Sequence, residues 1–242
     1  MKLNTLKLFL ILALIVSTIA LKAQIIYIGV GGGGGTFQMN SVKEFNQSIV
    51  NQLPFTPVVK DNFPPYFFFK GEVICALPKN LSLGIDLSTT STGSRFTLAD
   101  YSGKYTLDNI QNGFFTGLKL LYGNGAGYLK GFNISLESGT AFSKMMVNED
   151  LKVGQESQKD NMDFSAMGFF VQPGLCYYLD IGSKVKVCAN VSYYFGIEKG
   201  YHLPGERKQI LLDQDSRIPI KPQWDGIRVG ITAYLKWGTN SK

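Results

Sequence analysis

From Gly226 to Trp237 the chain reads GIRVGITAYLKW. Ile227, Val229, Ile231, Ala233, Leu235 and Trp237 alternate with Gly226, Arg228, Gly230, Thr232, Tyr234 and Lys236. Successive strand residues point to opposite faces, so the stretch reads as a strand with one apolar and one polar side. Similar period-two segments cover 24–38, 66–77, 81–99, 104–122, 128–146, 163–179 and 184–198. The joins at 78–80, 123–127 and 180–183 are short, and those near 39–65, 147–162 and 199–223 are long. Ser102-Gly103 reads as a tight turn at the tip of two overlong strands. Segments joined this way predict an all-β fold, an eight-stranded antiparallel up-and-down β-barrel.

Alternation does not say which face is outside. The polar face does, because it carries Gly84, Gly117, Gly131, Gly139, Gly168, Gly174, Gly196, Gly226 and Gly230 among tyrosines and sparse charges. Glycine weakens a strand, and a water-facing surface gains nothing from so many. The inside of a narrow barrel needs them, since side chains from all strands converge there. The apolar face therefore turns outward to lipid, and the expected barrel is transmembrane. The aromatics agree. Phe67, Phe69, Tyr193 and Phe195 sit toward the long-loop ends, and Tyr122, Tyr128, Tyr177 and Trp237 toward the short-turn ends, as two bilayer interfaces require.

The first segment contains a second signal, IGVGGGGGTF, in which Gly29, Gly31 and Gly34 satisfy the G-x-G-x-x-G spacing of a dinucleotide site. It lacks the Lys-Ser/Thr of a phosphate loop, and no strand–helix–strand unit follows. Residues 1–23 are expected to be a secretory signal peptide, with Lys2 and Lys7, an apolar run to Leu21 and small residues near Ala23. Residues 24–242 then form the barrel domain. An exported chain is remote from the cytosolic nucleotide pool, so the glycines read as sites of close approach and curvature. Removing the leader leaves 21 basic against 18 acidic residues, too mild a balance for nucleic acid.

With these residues in view, the chain resembles the eight-stranded outer-membrane β-barrel proteins of OmpX/OmpA type, and among them the PorT-like barrels. The resemblance rests on the leader, the Gly-rich first strand, the eight segments and the closing GIRVGITAYLKW. It departs in the residues 238–242 after the last aromatic and in the helix-like stretch 41–53 of the first loop. It implies an outer-membrane location with both termini in the periplasm. Its members include structural, adhesive and secretion-associated proteins, so it implies no single activity.

Lys70, Glu72, Asp86, Lys119, Glu137, Lys186, Glu198 and Arg228 fall on the inward face. Buried charge is costly unless paired, so a lumenal ion-pair network of Lys70, Glu72, Asp86, Lys119, Glu137 and Arg228 is expected. A two-residue turn at Ser102-Gly103 sets Asp86 beside Lys119 and Ile85 beside Leu120. Centring another turn on Gly182 sets Cys176 opposite Cys188, a candidate disulfide; two small thiols filling a crowded lumen is the other reading. Cys75 falls on the lipid face and is expected to be free. His202, the sole histidine, lies in the last long loop, where no serine occurs between Tyr193 and Asp215 to complete a hydrolytic triad. No metal-spaced cluster, catalytic constellation or cofactor motif is present.

The expected function is that of a small outer-membrane barrel with a filled polar lumen and a structural or interaction role, neither an enzyme nor an open porin. The alternatives are an accessory subunit of a secretion or uptake machine and, ranked below it, a lipid-modifying enzyme. Expected partners are outer-membrane lipid and lipopolysaccharide, with a protein docking on loops 39–65 and 199–223.

Overall fold

The computed structural model describes residues 25–53, 55, 57–99, 101, 103–123, 131–203 and 218–238. The leader 1–23, Ser102, Tyr128 and the loop stretch 204–217 lie outside the described residues. In chain order the elements are β1 (Ile25–Gly35), α1 (Asn40–Gln52), β2 (Val58–Asn62), β3 (Tyr66–Ala76), β4 (Leu81–Ala99), β5 (Gly103–Gly123), β6 (Phe132–Val153), β7 (Glu156–Ile181), β8 (Val185–Glu198) and β9 (Gly226–Trp237).

Eight strands close on themselves. β1 pairs antiparallel with β3 on one side and with β9 on the other, and β3, β4, β5, β6, β7, β8 and β9 follow around the ring. Closure removes the sheet edges that would otherwise expose unpaired backbone groups. The exterior is an apolar belt, with Val30 70%, Phe67 72%, Leu235 63% and Trp237 74% exposed. Water does not tolerate so large a contiguous patch, whereas hydrocarbon favours it. The fold is an eight-stranded transmembrane-type up-and-down barrel.

The glycine run is explained where β1 meets β9. Gly33 pairs with Gly230, and a Cβ on Gly33 would lie 2.0 Å from the carbonyl oxygen of Val229. Only a residue without a side chain permits that approach. The run closes the barrel.

Three features differ from the sequence expectation. Residues 147–162 are not a long loop; β6 and β7 run on to pair Val153 with Glu156 across a turn where Gly154 adopts φ 60°. Charges on both faces hid this extension, because above the belt both faces meet water and no apolar side survives. β2, exposed along its length, pairs with β4. The β4–β5 register is also shifted. Ala99 faces Lys104, so the hairpin is centred one residue earlier than Ser102-Gly103, and Asp86 faces Gly117 while Lys119 faces Gly84. The expected pairs Asp86–Lys119 and Ile85–Leu120 are each displaced by two residues, which keeps every side chain on its predicted face.

Candidate functional site

The interior is layered along the barrel axis. At the short-turn rim a cavity of about 640 Å³ is lined by Tyr27, Tyr178, Tyr234, Asn133 and Lys186 among others. Lys186 pairs with Asp180 at 3.3 Å and lies 5.2 Å from the Tyr27 ring centroid, so this inward lysine belongs to the rim rather than to the central charges. Just inside are Cys176 and Cys188. Cys176 faces Asn190 and Cys188 faces Tyr178, so the two are diagonal and not directly opposite. Both are buried, free thiols, and Cys75 is free as well.

The middle layer holds the charges, with Glu72 as its hub. Lys119 Nζ donates to Glu72 Oε1 at 3.0 Å and Oε2 at 2.9 Å, Tyr234 OH donates to Oε2 at 2.6 Å, and Lys70 forms a further ion pair. Lys119 reaches across β4 to β3 because the residue facing it on β4 is Gly84. Three polar groups thus converge on one carboxylate, as a charge out of water requires. The remaining three predicted members share the layer without a bond to this hub. Asp86 faces Glu72 across β3–β4, and Glu137 faces Lys119 across β5–β6. Arg228 instead stacks between aromatic rings, with its guanidinium 4.2 Å from the Tyr194 centroid and 4.6 Å from that of Phe115. Among the described residues, Asp86 Oδ2 and Arg228 Nη2 are buried without a hydrogen-bond partner. Glu198, the last inward acid, lies higher and accepts from Tyr194 OH at 3.3 Å.

Above the charges the expected polar filling is mixed with a large apolar cluster. Phe115 packs edge-on against Phe170, Tyr194 and Trp224, and Phe170 stacks on Tyr194 at 5.0 Å. α1 completes this plug. Its Val42, Phe45 and Val50 recur at helical spacing and are buried with Phe96, Tyr105 and Leu107 of β4 and β5. The orphan N–H of Ser41 is satisfied by Gln223 Oε1 at 2.9 Å, which ties the helix start to the chain leading into β9. A buried polar ladder fixes its depth. Asn46 Nδ2 donates to Ser94 Oγ at 2.6 Å, Asn109 Nδ2 to Asn46 Oδ1 at 2.8 Å, and Gln111 Nε2 to Asn109 Oδ1 at 2.6 Å. Tyr201 OH in turn donates to Gln111, and Trp224 Nε1 donates to Ser143 Oγ at 2.8 Å. The helical stretch was legible in the sequence; that it turns inward and fills the barrel was not.

His202 is drawn to the outer wall by a backbone bridge to Ser165, its N–H donating to the Ser165 carbonyl at 2.9 Å. Among the described residues no group of three His, Cys, Asp or Glu side chains is placed to hold a metal.

No family model and no curated protein matches the chain. Among solved structures it is similar to Ail, the attachment invasion locus protein of Yersinia pestis, at 10% identity and a TM-score of 0.38, over 89% of this chain and 99% of that one. It is also similar to OprG from Pseudomonas aeruginosa, with 10% identity, a TM-score of 0.38 and coverage of 90% and 98%. A third is CarO of Acinetobacter baumannii, with 10% identity, a TM-score of 0.37 and coverage of 90% and 99%. All are outer-membrane β-barrels.

Proposed function

We propose that the protein is an outer-membrane barrel that conducts nothing and catalyses nothing, and that acts through its outward surface as a structural or interaction element. The observation that carries this reading is the occluded lumen. A transmembrane-type barrel whose bore is filled by a charged hub, an aromatic layer and a helix offers no continuous water path. The leader 1–23 would deliver the chain to the periplasm, and the shared rim of the β1 start and the β9 end would then face that compartment.

The interaction role draws on the part of β4–β7 that rises beyond the apolar belt. That projection, with β2 paired along β4, carries Val58, Val59, Val153 and Met162, all exposed and more apolar than a purely solvated sheet requires. It suits attachment to another protein, as in an accessory subunit of a larger assembly. Reconstitution in a planar bilayer tests the occlusion: the expected trace is closed, and a stable, large conductance would overturn the reading. Native mass of the protein extracted in mild detergent tests the role. A single chain supports the stand-alone barrel, and a defined larger assembly the accessory subunit.

A further inference from the structure

On the outer wall, at the upper edge of the apolar belt, the strand registers build two rows. The lower row is apolar: Phe114 faces Phe142, and Phe142 faces Met167. The row two residues further out is polar: Asn112 faces Lys144, Lys144 faces Ser165, and Ser165 bridges to His202. Lys199, whose N–H donates to the Met167 carbonyl at 3.3 Å, brings a second ammonium to the same place. Together these residues line an open groove of about 860 Å³. The lower row is 44–47% exposed although wholly hydrophobic, and two of its rings lie 6.4 Å apart.

The charge balance of the groove is positive. Lys144 pairs with Asp163 at 2.8 Å, but both side chains are about half exposed and leave donors to spare. Lys199 is exposed and forms no ion pair with any described residue. His202 Nδ1 is buried and without a hydrogen-bond partner among the described residues. Cations immediately above an apolar wall, at the level where lipid gives way to water, match a molecule with an anionic head and hydrocarbon tails.

We propose that this groove binds a phosphorylated glycolipid of the surrounding outer leaflet. Lys144 and Lys199 hold its phosphate, His202 and Ser165 flank it, and its acyl chains descend over Phe114, Phe142 and Met167. The proposal rests on the outer-membrane reading above.

The test places the full chain in phosphatidylcholine nanodiscs doped with lipid A, or with its phosphate-free counterpart, and counts retained glycolipid by native mass spectrometry. The wild-type protein retains the phosphorylated form selectively. K144Q/K199Q loses roughly 30-fold in affinity, on the scale of one surface charge per lysine. K60Q/K104Q, on the projecting sheet, leaves binding unchanged. Equal retention of the phosphate-free lipid by the wild-type protein overturns the proposal without reference to any variant, and so does unchanged binding by K144Q/K199Q. Inorganic phosphate binding as tightly as the glycolipid would replace the lipid with a soluble anion. Failure of the chain to insert into bilayers would remove the outer-membrane reading itself, whereas insertion without discrimination removes only this site.

Discussion

The two halves of the lumen solve the same problem with opposite chemistry. The middle layer concentrates charge on Glu72, where Lys70, Lys119 and Tyr234 meet. The outer layer is a packed cluster of Phe115, Phe170, Tyr194 and Trp224 under α1. In the first, stability hangs on one acceptor, because each neighbouring cation is buried only while that carboxylate is there. In the second it is spread over many contacts, none indispensable. A hub is therefore fragile to a single substitution in a way that a packed layer is not.

The largest effect is expected from breaking the hub. Glu72→Ala strands two buried lysines and should destabilise the barrel by about 3–5 kcal/mol, read by denaturant unfolding in lipid vesicles. Adding Lys119→Met should return a good part of that loss, since one stranded charge has gone. A double variant as unstable as the single one would show that packing, not charge, is what Glu72 supplies. Conductance should stay closed in both, because the plug above is untouched.

A smaller effect is expected in the outer half. Asn46→Ala removes the rung between Ser94 and Asn109 and leaves a buried amide short of a partner, at about 1–3 kcal/mol. The loss should be local. Proteolysis within α1 should accelerate while the unfolding midpoint of the barrel moves little, since the helix is held by one ladder, one apolar stripe and the tie from Ser41 to Gln223. If barrel and helix are lost together, the plug is part of the barrel's own stability and the contrast between the halves fails.

The ring of strands was readable from residues alone for a physical reason. Lipid outside and a crowded bore inside impose a strict period of two, and GIRVGITAYLKW carries it in full. The inward placement of Glu72, Lys119 and Arg228 followed from the same parity. Their partners did not follow, because a hairpin centred one residue earlier than expected slides Lys119 from Asp86 to Gly84 while preserving every face. Parity is written in the side chains, and register is written in the turn. The extension of β6 and β7 was lost where the solvent becomes the same on both faces, and the inward fold of α1 depends on contacts with Ser94 and Asn109 that no local pattern announces.

The smallest effect is expected outside the lumen, and it measures how far the contrast depends on burial. On the projecting sheet Arg95 grips Asp108 with two bonds, Nε to Oδ1 at 2.6 Å and Nη2 to Oδ2 at 2.7 Å, from directly facing positions on β4 and β5. The geometry is as good as that of the Glu72 hub, and the bonds to Asp108 hold the Arg95 guanidinium more firmly charged than usual. Yet the Arg95 side chain is 54% exposed, so water and salt compete for both partners. Arg95→Ala should therefore move the unfolding midpoint hardly at all, in keeping with exposed pairs worth about 0.2–1 kcal/mol. Whatever shift remains should vanish in high salt, whereas the loss from Glu72→Ala, screened by protein and lipid rather than by ions, should persist. Equal salt sensitivity of the two losses would mean that the middle of the barrel is wet, and that its charges are solvated instead of held.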